Sequence, residues 1–179
     1  MADPQPGASG QRFATPPRML APAAFLAAQG AVYEHSPWIA EALLARGLTA
    51  EHDTVEGLHA ALAAIVEAAP RERQLALLRA HPDLAGRLAV RGELTAHSTA
   101  EQAGAGLAQC SPEEFARFTS LNEAYRAKFG FPFIMAVKGR SRDEILAAFE
   151  RRLGNGAAAE FATALAEVHK IALLRLQAL

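Results

Sequence analysis

The 179-residue sequence contains one cysteine, Cys110, and this scarcity excludes two classes of small protein. A chain with a single cysteine has neither an internal disulfide framework nor a zinc site built from several thiolates, so a reducing compartment suits it. Cys110 stands directly before Ser111 and Pro112, a position typical of a small packed side chain. We therefore interpret Cys110 as a filler of space rather than as a nucleophile.

An excess of charge of either sign is also missing. Lysine and arginine total 18, aspartate and glutamate total 19, and the formal net charge is -1. The basic residues are scattered, which speaks against binding to nucleic acid or to a membrane surface. No apolar run reaches the ~18 residues that a membrane-spanning helix needs. These absences favour a soluble cytoplasmic protein, and the length suits a small enzyme.

Proline, glycine and small polar residues dominate residues 1–17, which predicts a disordered leader. Residues 18–179 have the length of one domain. Helix start and stop signals recur through them, so the predicted fold class is all-α, a single-domain bundle of about eight helices. The signals are Ser36-Pro37, Asp53 with Glu56, Pro70, Ser111-Pro112 with Glu114, Gly130, Ser141 with Glu144, and Gly154-Asn155-Gly156.

Only residues 131–137, FPFIMAV, have the composition of a strand, and one strand cannot form a sheet. We predict an apolar loop between two capped helices. Buried non-helical backbone must find partners for its N–H and C=O groups, and a ligand is one such partner. In the simpler alternative, Phe131, Pro132 and Phe133 only fill the core, and residues 138–140 form a solvated turn.

The stretch HPDL, residues 81–84, interrupts two runs of helix-forming residues. Pro82 disfavours helical geometry at the preceding residue and suits the first position of a new helix, so His81 is presented at a junction. Imidazole is the usual proton-transfer group near neutral pH when it lies in a pocket. The alternative is a histidine that ends a helix and has no chemical function.

In the stretch STAEQ, residues 98–102, Ser98 and Glu101 have the spacing of a capping box, and capping alone accounts for both. Gln102 adds an amide at the same predicted helix start, where polar ligands bind well. Capping and ligand binding therefore both remain open for this stretch.

Arg175 lies on one stripe of the last helix with Ala164, Val168 and Ile171, and this stripe is predicted to face the core. A permanent cation in that position needs a carboxylate partner or a ligand. In the alternative, its stem covers apolar surface while the guanidinium reaches water.

Patterns for metal and nucleotide chemistry are missing from the sequence. No two of the six histidines stand four residues apart as in a helical metal site. A glycine-rich phosphate loop after a strand and a serine nucleophile elbow are also missing. We therefore expect neither a metal nor an organic cofactor.

Taken together and in this order, five stretches resemble a known family: VYEHSPWIAE, AHPDLAGRLA, STAEQAGAGL, the segment from SPEEF to AVKGR, and EVHKIALLRL. The chain is similar to the OHCU decarboxylases, which convert 2-oxo-4-hydroxy-4-carboxy-5-ureidoimidazoline (OHCU) to (S)-allantoin at the end of urate-to-allantoin breakdown. The resemblance covers nearly the whole chain after the leader. It implies an all-helical, cofactor-independent carboxy-lyase that acts on a small ureide and forms a homodimer.

The resemblance also implies roles for individual residues. His81 would be the catalytic proton donor, with Glu101 and Arg175 completing the catalytic set and Arg175 supplying positive charge. The implied substrate-binding residues, those of the loop acting through their backbone, are Pro82, Ser98, Thr99, Ala100, Glu101, Gln102, Phe133, Ile134, Met135, Ala136, Val137 and Arg175. All these groups would then converge on one cavity.

Several alternatives stay open at this level. His81 either protonates carbon or deprotonates the ring hydroxyl. A helical binding module that lost catalysis, and a decarboxylase of another ureido or imidazoline acid, are competing hypotheses. His97 stands where many relatives carry an acidic residue, which alters the expected charge there. The chain ends LQAL rather than with the peroxisomal signal SKL, so we expect a bacterial cytoplasm.

Overall fold

The computed structural model describes residues 10–85 and 94–179, and these ranges contain eight α-helices. They are α1 (Pro22–Gln29), α2 (Trp38–Arg46), α3 (Val55–Glu67), α4 (Arg71–Arg79), α5 (Ala96–Gly104), α6 (Pro112–Phe129), α7 (Arg142–Leu153) and α8 (Ala157–Gln177). The described residues form no β-strand, so the all-α prediction is confirmed. Within the same ranges, no helix has both the length and the apolar character needed to cross a membrane.

The first of two compact units comprises the described residues up to Ala69 together with Ala172–Leu179. Along α3 the buried positions recur at three- and four-residue intervals, which gives this helix one apolar face. The largest fully buried side chains of this unit come from all its helices: Phe25, Ile39, Leu58, Leu62 and Leu176. Each helix therefore contributes apolar surface to the core.

Residues 10–17 do not follow the expectation of a disordered leader. Arg12 forms an isolated antiparallel bridge with Thr54, and the backbone N–H of Val55 donates to the carbonyl of Gln11 at 2.8 Å. Pro17 is buried and begins a short 3-10 helix. This segment is therefore tied to the start of α3, while the prediction for residues 1–9 lies outside the described residues.

The start of α3 lies one residue beyond the predicted cap. Thr54 is the N-cap, and its hydroxyl accepts from the N–H of Gly57 at 3.1 Å. Asp53 ends a 3-10 helix, so Thr54 is the residue with the extended backbone that an N-cap requires. Asp53 instead is buried and accepts from Nε of Arg18 at 2.7 Å.

The second unit comprises Pro70–Ile171 and contains α4 to α7 with most of α8. Its core is aromatic and is centred on Tyr125 of α6. Ring centroids lie 4.6 to 5.9 Å from that of Tyr125 for four phenylalanines, Phe129, Phe131, Phe133 and Phe149. Three of the four pairs, those with Phe131, Phe133 and Phe149, are edge-to-face, and such pairs add directional preference to the burial of apolar area. The aromatic core therefore links α6, the segment that follows it and α7.

Two predicted helix starts in the second unit are confirmed. Ser111 caps α6 and Ser141 caps α7, each with a glutamate three residues later. Oε2 of Glu114 accepts from the N–H of Ser111 at 2.7 Å, and Oε2 of Glu144 accepts from that of Ser141 at 2.8 Å. These backbone hydrogen bonds hold the pKa of both carboxyls below their ordinary range. Helix α6 ends at Phe129, and the next residue, Gly130, has a left-handed φ of 78°, as the glycine at this position predicts.

The lowered pKa of Glu114 predicts a pH dependence of stability. Because the folded-state pKa lies below the unfolded one, the stabilising contribution is complete above the unfolded pKa and is lost as pH falls through the folded pKa. Between about pH 6 and about pH 3, we expect the unfolding free energy of Glu114→Gln to fall less than that of the wild type. Glu123→Gln, an exposed change on the same helix, is the control. Equal falls in wild type and Glu114→Gln, measured by urea denaturation, would contradict the capping role.

Candidate active site

The His81 side chain is buried at the end of α4, with 6% of its surface exposed. Its backbone N–H donates to the carbonyl of Leu78 at 3.2 Å, and its Nδ1 lies 2.9 Å from the carbonyl oxygen of Leu77. A carbonyl oxygen only accepts hydrogen bonds, so Nδ1 carries the hydrogen. In the neutral ring, Nε2 is then the nitrogen without a proton.

Pro82 suggested that the segment after His81 is the first turn of a helix, but the structure shows no helix at residues 82–85. Residues 82 and 83 are irregular, and residues 84 and 85 form a turn. Ala85 has a φ of 48°, in the left-handed region that residues with a side chain rarely adopt. The rest of the predicted second helix, up to residue 89, lies outside the described residues. A backbone of this shape needs other parts of the protein to hold it.

Gln102 of α5 holds this segment with both ends of its amide. Its Oε1 accepts from the N–H of Ala85 at 3.0 Å, and its Nε2 donates to the carbonyl of Asp83 at 3.2 Å. The side chain of Gln102 is itself buried, with 4% exposed. The structure therefore brings two of the predicted site stretches together, and it gives Gln102 a structural task in addition to its predicted contact with substrate.

Helix α6 supplies two further contacts to the same segment. Nδ2 of Asn122 donates to the carbonyl of Leu84 at 3.0 Å, and Nε of Arg126 donates to Oδ1 of Asp83 at 2.8 Å. Oδ1 of Asn122 is buried and has no hydrogen-bond partner among the described residues. The sequence interpretation missed Asn122, although a signal was present: it shares the buried face of α6 with Phe118 and Tyr125.

The predicted capping box of Ser98 and Glu101 is wrong. The N-cap of α5 is Thr95, whose hydroxyl accepts from the N–H of Ser98 at 3.3 Å. Ser98 and Glu101 both lie inside the helix, so capping no longer explains either residue. Ser98 is buried beside Gln102 on one face, while the side chains of Thr99 and Ala100 are exposed. Contacts of these residues with substrate stay predictions.

Residues 131–137 lie between α6 and α7 and contain neither helix nor strand. Nε of Arg79, the last residue of α4, donates to the carbonyl of Gly130 at 2.8 Å, so the residue before this loop is tied to the end of the helix that precedes His81. Two groups of its backbone are already bound by side chains. The carbonyl of Ile134 accepts from Arg152 at 2.7 Å, and the N–H of Ala136 donates to Oε2 of Glu167 at 2.9 Å.

Arg152 belongs to a buried network. Its NH2 lies 2.6 Å from Oε1 of Glu160, which is fully buried. Glu160 also accepts from the hydroxyl of Tyr125 and from Nδ2 of Asn155, the latter at 2.6 Å. Burial and the hydrogen bond to Glu160 raise the pKa of Tyr125, so its hydroxyl stays a donor. The guanidinium carbon also lies 4.4 Å from the centroid of the Phe133 ring.

Arg175 belongs to the first unit, and its side chain is 4% exposed. The predicted stripe is buried at Ala164, Val168 and Ile171 as well, so the alternative in which Arg175 reaches water is wrong. Its NH1 lies 2.8 Å from Oε2 of Glu34 and donates to the carbonyl of Val32 at 3.3 Å. Of the two partners that the sequence left open for Arg175, a carboxylate or a ligand, the structure shows a carboxylate, Glu34, which the sequence interpretation did not identify. Its convergence with His81 and Glu101 stays a prediction.

Comparison with known proteins gives consistent matches. The family model described as OHCU decarboxylase matches residues 18–177. A 2-oxo-4-hydroxy-4-carboxy-5-ureidoimidazoline decarboxylase of Haloferax volcanii is 51% identical over 152 residues, which are 85% of this chain and 86% of that protein. A crystal structure of (S)-allantoin synthase matches with a TM-score of 0.71 and 34% identity over 90% of this chain and 52% of its own. A crystal structure of OHCU decarboxylase in the presence of (S)-allantoin matches with a TM-score of 0.64 and 26% identity, over 81% of this chain and 92% of its own.

The contacts of Gln102 predict a loss of stability on its replacement. Gln102→Leu keeps the apolar volume but leaves the carbonyl of Asp83 and the N–H of Ala85 without their partner, and each such buried group costs about 1–3 kcal/mol. We therefore expect the unfolding free energy to fall by at least about 1 kcal/mol in urea denaturation. Gln109→Leu, at an exposed glutamine, is the matched control. Equal stabilities of the two variants would show that Gln102 does not hold the segment.

Proposed function

The chain belongs to the OHCU decarboxylase family, and we propose that it removes the carboxylate of OHCU as CO2 and yields (S)-allantoin through proton transfer at His81. It is accordingly a carboxy-lyase. The observation that carries the role of His81 is its buried imidazole, which is oriented by the carbonyl of Leu77. The substrate, product and enzyme class follow from the family, whereas the residue roles below are our proposals.

The substrate carries its own electron sink. Its carboxylate sits on a ring carbon next to a C=N bond, as in a β-keto acid. When the bond to the carboxylate breaks, its electron pair moves towards the ring nitrogen and CO2 leaves. The ring nitrogen takes up a proton to give a planar enol, and the carbon that bears the ureido arm then takes a second proton on one face while the ring hydroxyl loses its own. The protein has to hold the ring, stabilise the developing charge and direct that proton.

We assign the proton transfer to Nε2 of His81. Because Nδ1 donates to the carbonyl of Leu77, the ring cannot turn over without losing this hydrogen bond. The segment after His81 is held by Gln102, Asn122 and Arg126. A fixed imidazole approaches the intermediate from one side only, which is what a single enantiomer of the product requires. Protonation of the carbon and deprotonation of the hydroxyl both fit this geometry.

Glu101 is proposed to bind N–H groups of the ring or the ureido arm. Its position inside α5 supports this, because Thr95 takes the capping task that had explained the carboxylate. Arg175 is proposed to hold the substrate carboxylate. Glu34 keeps the guanidinium of Arg175 in place, and its carboxylate also neutralises part of the positive charge of Arg175. Pro82, Ser98, Thr99, Ala100, Gln102 and the backbone of residues 133–137 complete the proposed binding set.

Assembly and location are finer proposals. We propose a homodimer on the strength of the family resemblance, and a cytoplasmic location on the strength of the single cysteine, which suits a reducing compartment. The similar proteins include an archaeal one, from Haloferax volcanii, so family membership does not single out the expected bacterial source.

The proposed reaction is tested by adding the purified protein to freshly generated OHCU and following optical activity. We expect rapid appearance of one allantoin enantiomer with the wild type. His81→Asn is expected to lower the rate by about 10²–10⁴-fold, the usual contribution of general acid–base catalysis, and to give racemic product from the spontaneous reaction.

His59→Asn, a half-buried histidine on α3 in the first unit, is the matched control and should keep wild-type activity. Thermal unfolding of all three proteins checks that the variants fold. A wild-type protein whose product matches the uncatalysed blank would exclude the proposed function. A folded His81→Asn variant with wild-type rate and stereoselectivity would instead exclude the role of His81 alone.

A further inference from the structure

Two side chains from different helices bind neighbouring peptide groups of the loop at residues 131–137. Arg152, near the end of α7, donates to the carbonyl of Ile134 at 2.7 Å. Glu167, on α8, accepts from the N–H of Ala136 at 2.9 Å. These contacts lie on the two peptide groups that flank Met135. Neither Arg152 nor Glu167 has a role in the reaction described above.

The geometry of the peptide bond converts these contacts into a constraint on Met135. In a planar trans peptide, the C=O of one residue and the N–H of the next point in opposite directions, and the described residues contain no cis peptide bond. The N–H of Met135 therefore points away from Arg152, and its C=O points away from Glu167. Neither group of Met135 makes a hydrogen bond with the described part of the chain.

Both anchoring side chains are themselves held in place. The guanidinium of Arg152 is fixed by Glu160 and lies against the Phe133 ring. The side chain of Glu167 is 14% exposed, and its second oxygen lies 2.6 Å from Nζ of Lys170, one helical turn away on the surface. Glu167 thus reaches inward to the loop with one oxygen and outward to Lys170 with the other.

We propose that Glu167 and Arg152 are positioning residues, which fix the direction of the N–H and C=O of Met135 so that these groups receive the amide groups of the substrate. A ureide presents N–H donors and C=O acceptors next to each other, and Met135 offers one acceptor and one donor in return. The inference rests on the proposed function for the identity of the ligand. The hold on the loop does not depend on that function.

Glu167 is the more accessible of the two to test, because removing Arg152 would leave the buried Glu160 without its cation. Glu167→Met keeps the length of the side chain but has no acceptor for Ala136. Loss of one positioned hydrogen-bonding partner in binding should raise KM for OHCU about tenfold while kcat changes less than about threefold. Glu167→Gln retains an amide oxygen in the same place and should restore KM to within about threefold of the wild type.

Lys170→Met is the matched control, because it removes the surface ion pair and leaves the bond to Ala136 intact. It should leave KM unchanged. The inference is overturned if Glu167→Met has the KM of the wild type or if Glu167→Gln is as impaired as Glu167→Met. It is also overturned if the rise in KM of Glu167→Met comes with large falls in kcat and thermal stability, as expected of a purely structural residue.

Hydrogen exchange of the Ala136 amide, measured by NMR, provides a result that does not need turnover. We expect faster exchange in Glu167→Met than in wild type, Glu167→Gln or Lys170→Met. Unchanged exchange would overturn the anchoring itself. If the wild type does not decarboxylate OHCU but the Ala136 amide still responds to Glu167→Met, the proposed function fails while the hold of Glu167 on the loop stands.

Discussion

The buried ion pair between Arg152 and Glu160 is the interaction on which the second unit depends. It joins the end of α7 to the start of α8, and through Tyr125 and Ile134 it reaches α6 and the loop at residues 131–137. Taking two charges out of water is costly unless further hydrogen bonds satisfy them. Here Asn155, the Tyr125 hydroxyl and a backbone carbonyl supply those bonds. The pair therefore does not act alone, and its value lies in fixing one arrangement of three helices and a loop.

Helices leave few backbone groups available for a ligand, because their N–H and C=O groups bond within the helix. An all-helical enzyme must therefore find its polar contacts in side chains and in the short non-helical segments. In the described part of the second unit, two such segments are held by hydrogen bonds from side chains to their backbone groups. The turn after His81 is bound by Gln102 and Asn122, and the loop is bound by Arg152 and Glu167. In both, polar side chains of neighbouring helices bind the backbone groups that strand pairing would satisfy in a sheet.

Interactions between residues close in the sequence could be predicted, whereas interactions between residues far apart in the sequence could not. The capping boxes at Ser111 and Ser141 need only residues three apart, so the sequence contains the whole interaction. Around α5 several hydroxyl residues have suitable spacing, and only the extended backbone at Thr95 decides which one caps the helix. The stripe of Arg175 was visible, but its partner Glu34 lies at the other end of the chain. The hydrogen bond between Glu167 and the N–H of Ala136 likewise joins residues that are distant in the sequence, so a local sequence pattern could not indicate it.

The proposed role of His81 depends on which ring nitrogen carries the hydrogen in the neutral ring, and the ¹⁵N NMR spectrum of the histidine side chains tests this most directly. The His81 signals are assigned by their absence in His81→Asn. In the neutral ring, the contact with the Leu77 carbonyl requires the hydrogen on Nδ1 and an Nε2 shift typical of an unprotonated nitrogen. A neutral His81 protonated on Nε2 would contradict that orientation and remove the basis for assigning the proton transfer to this atom.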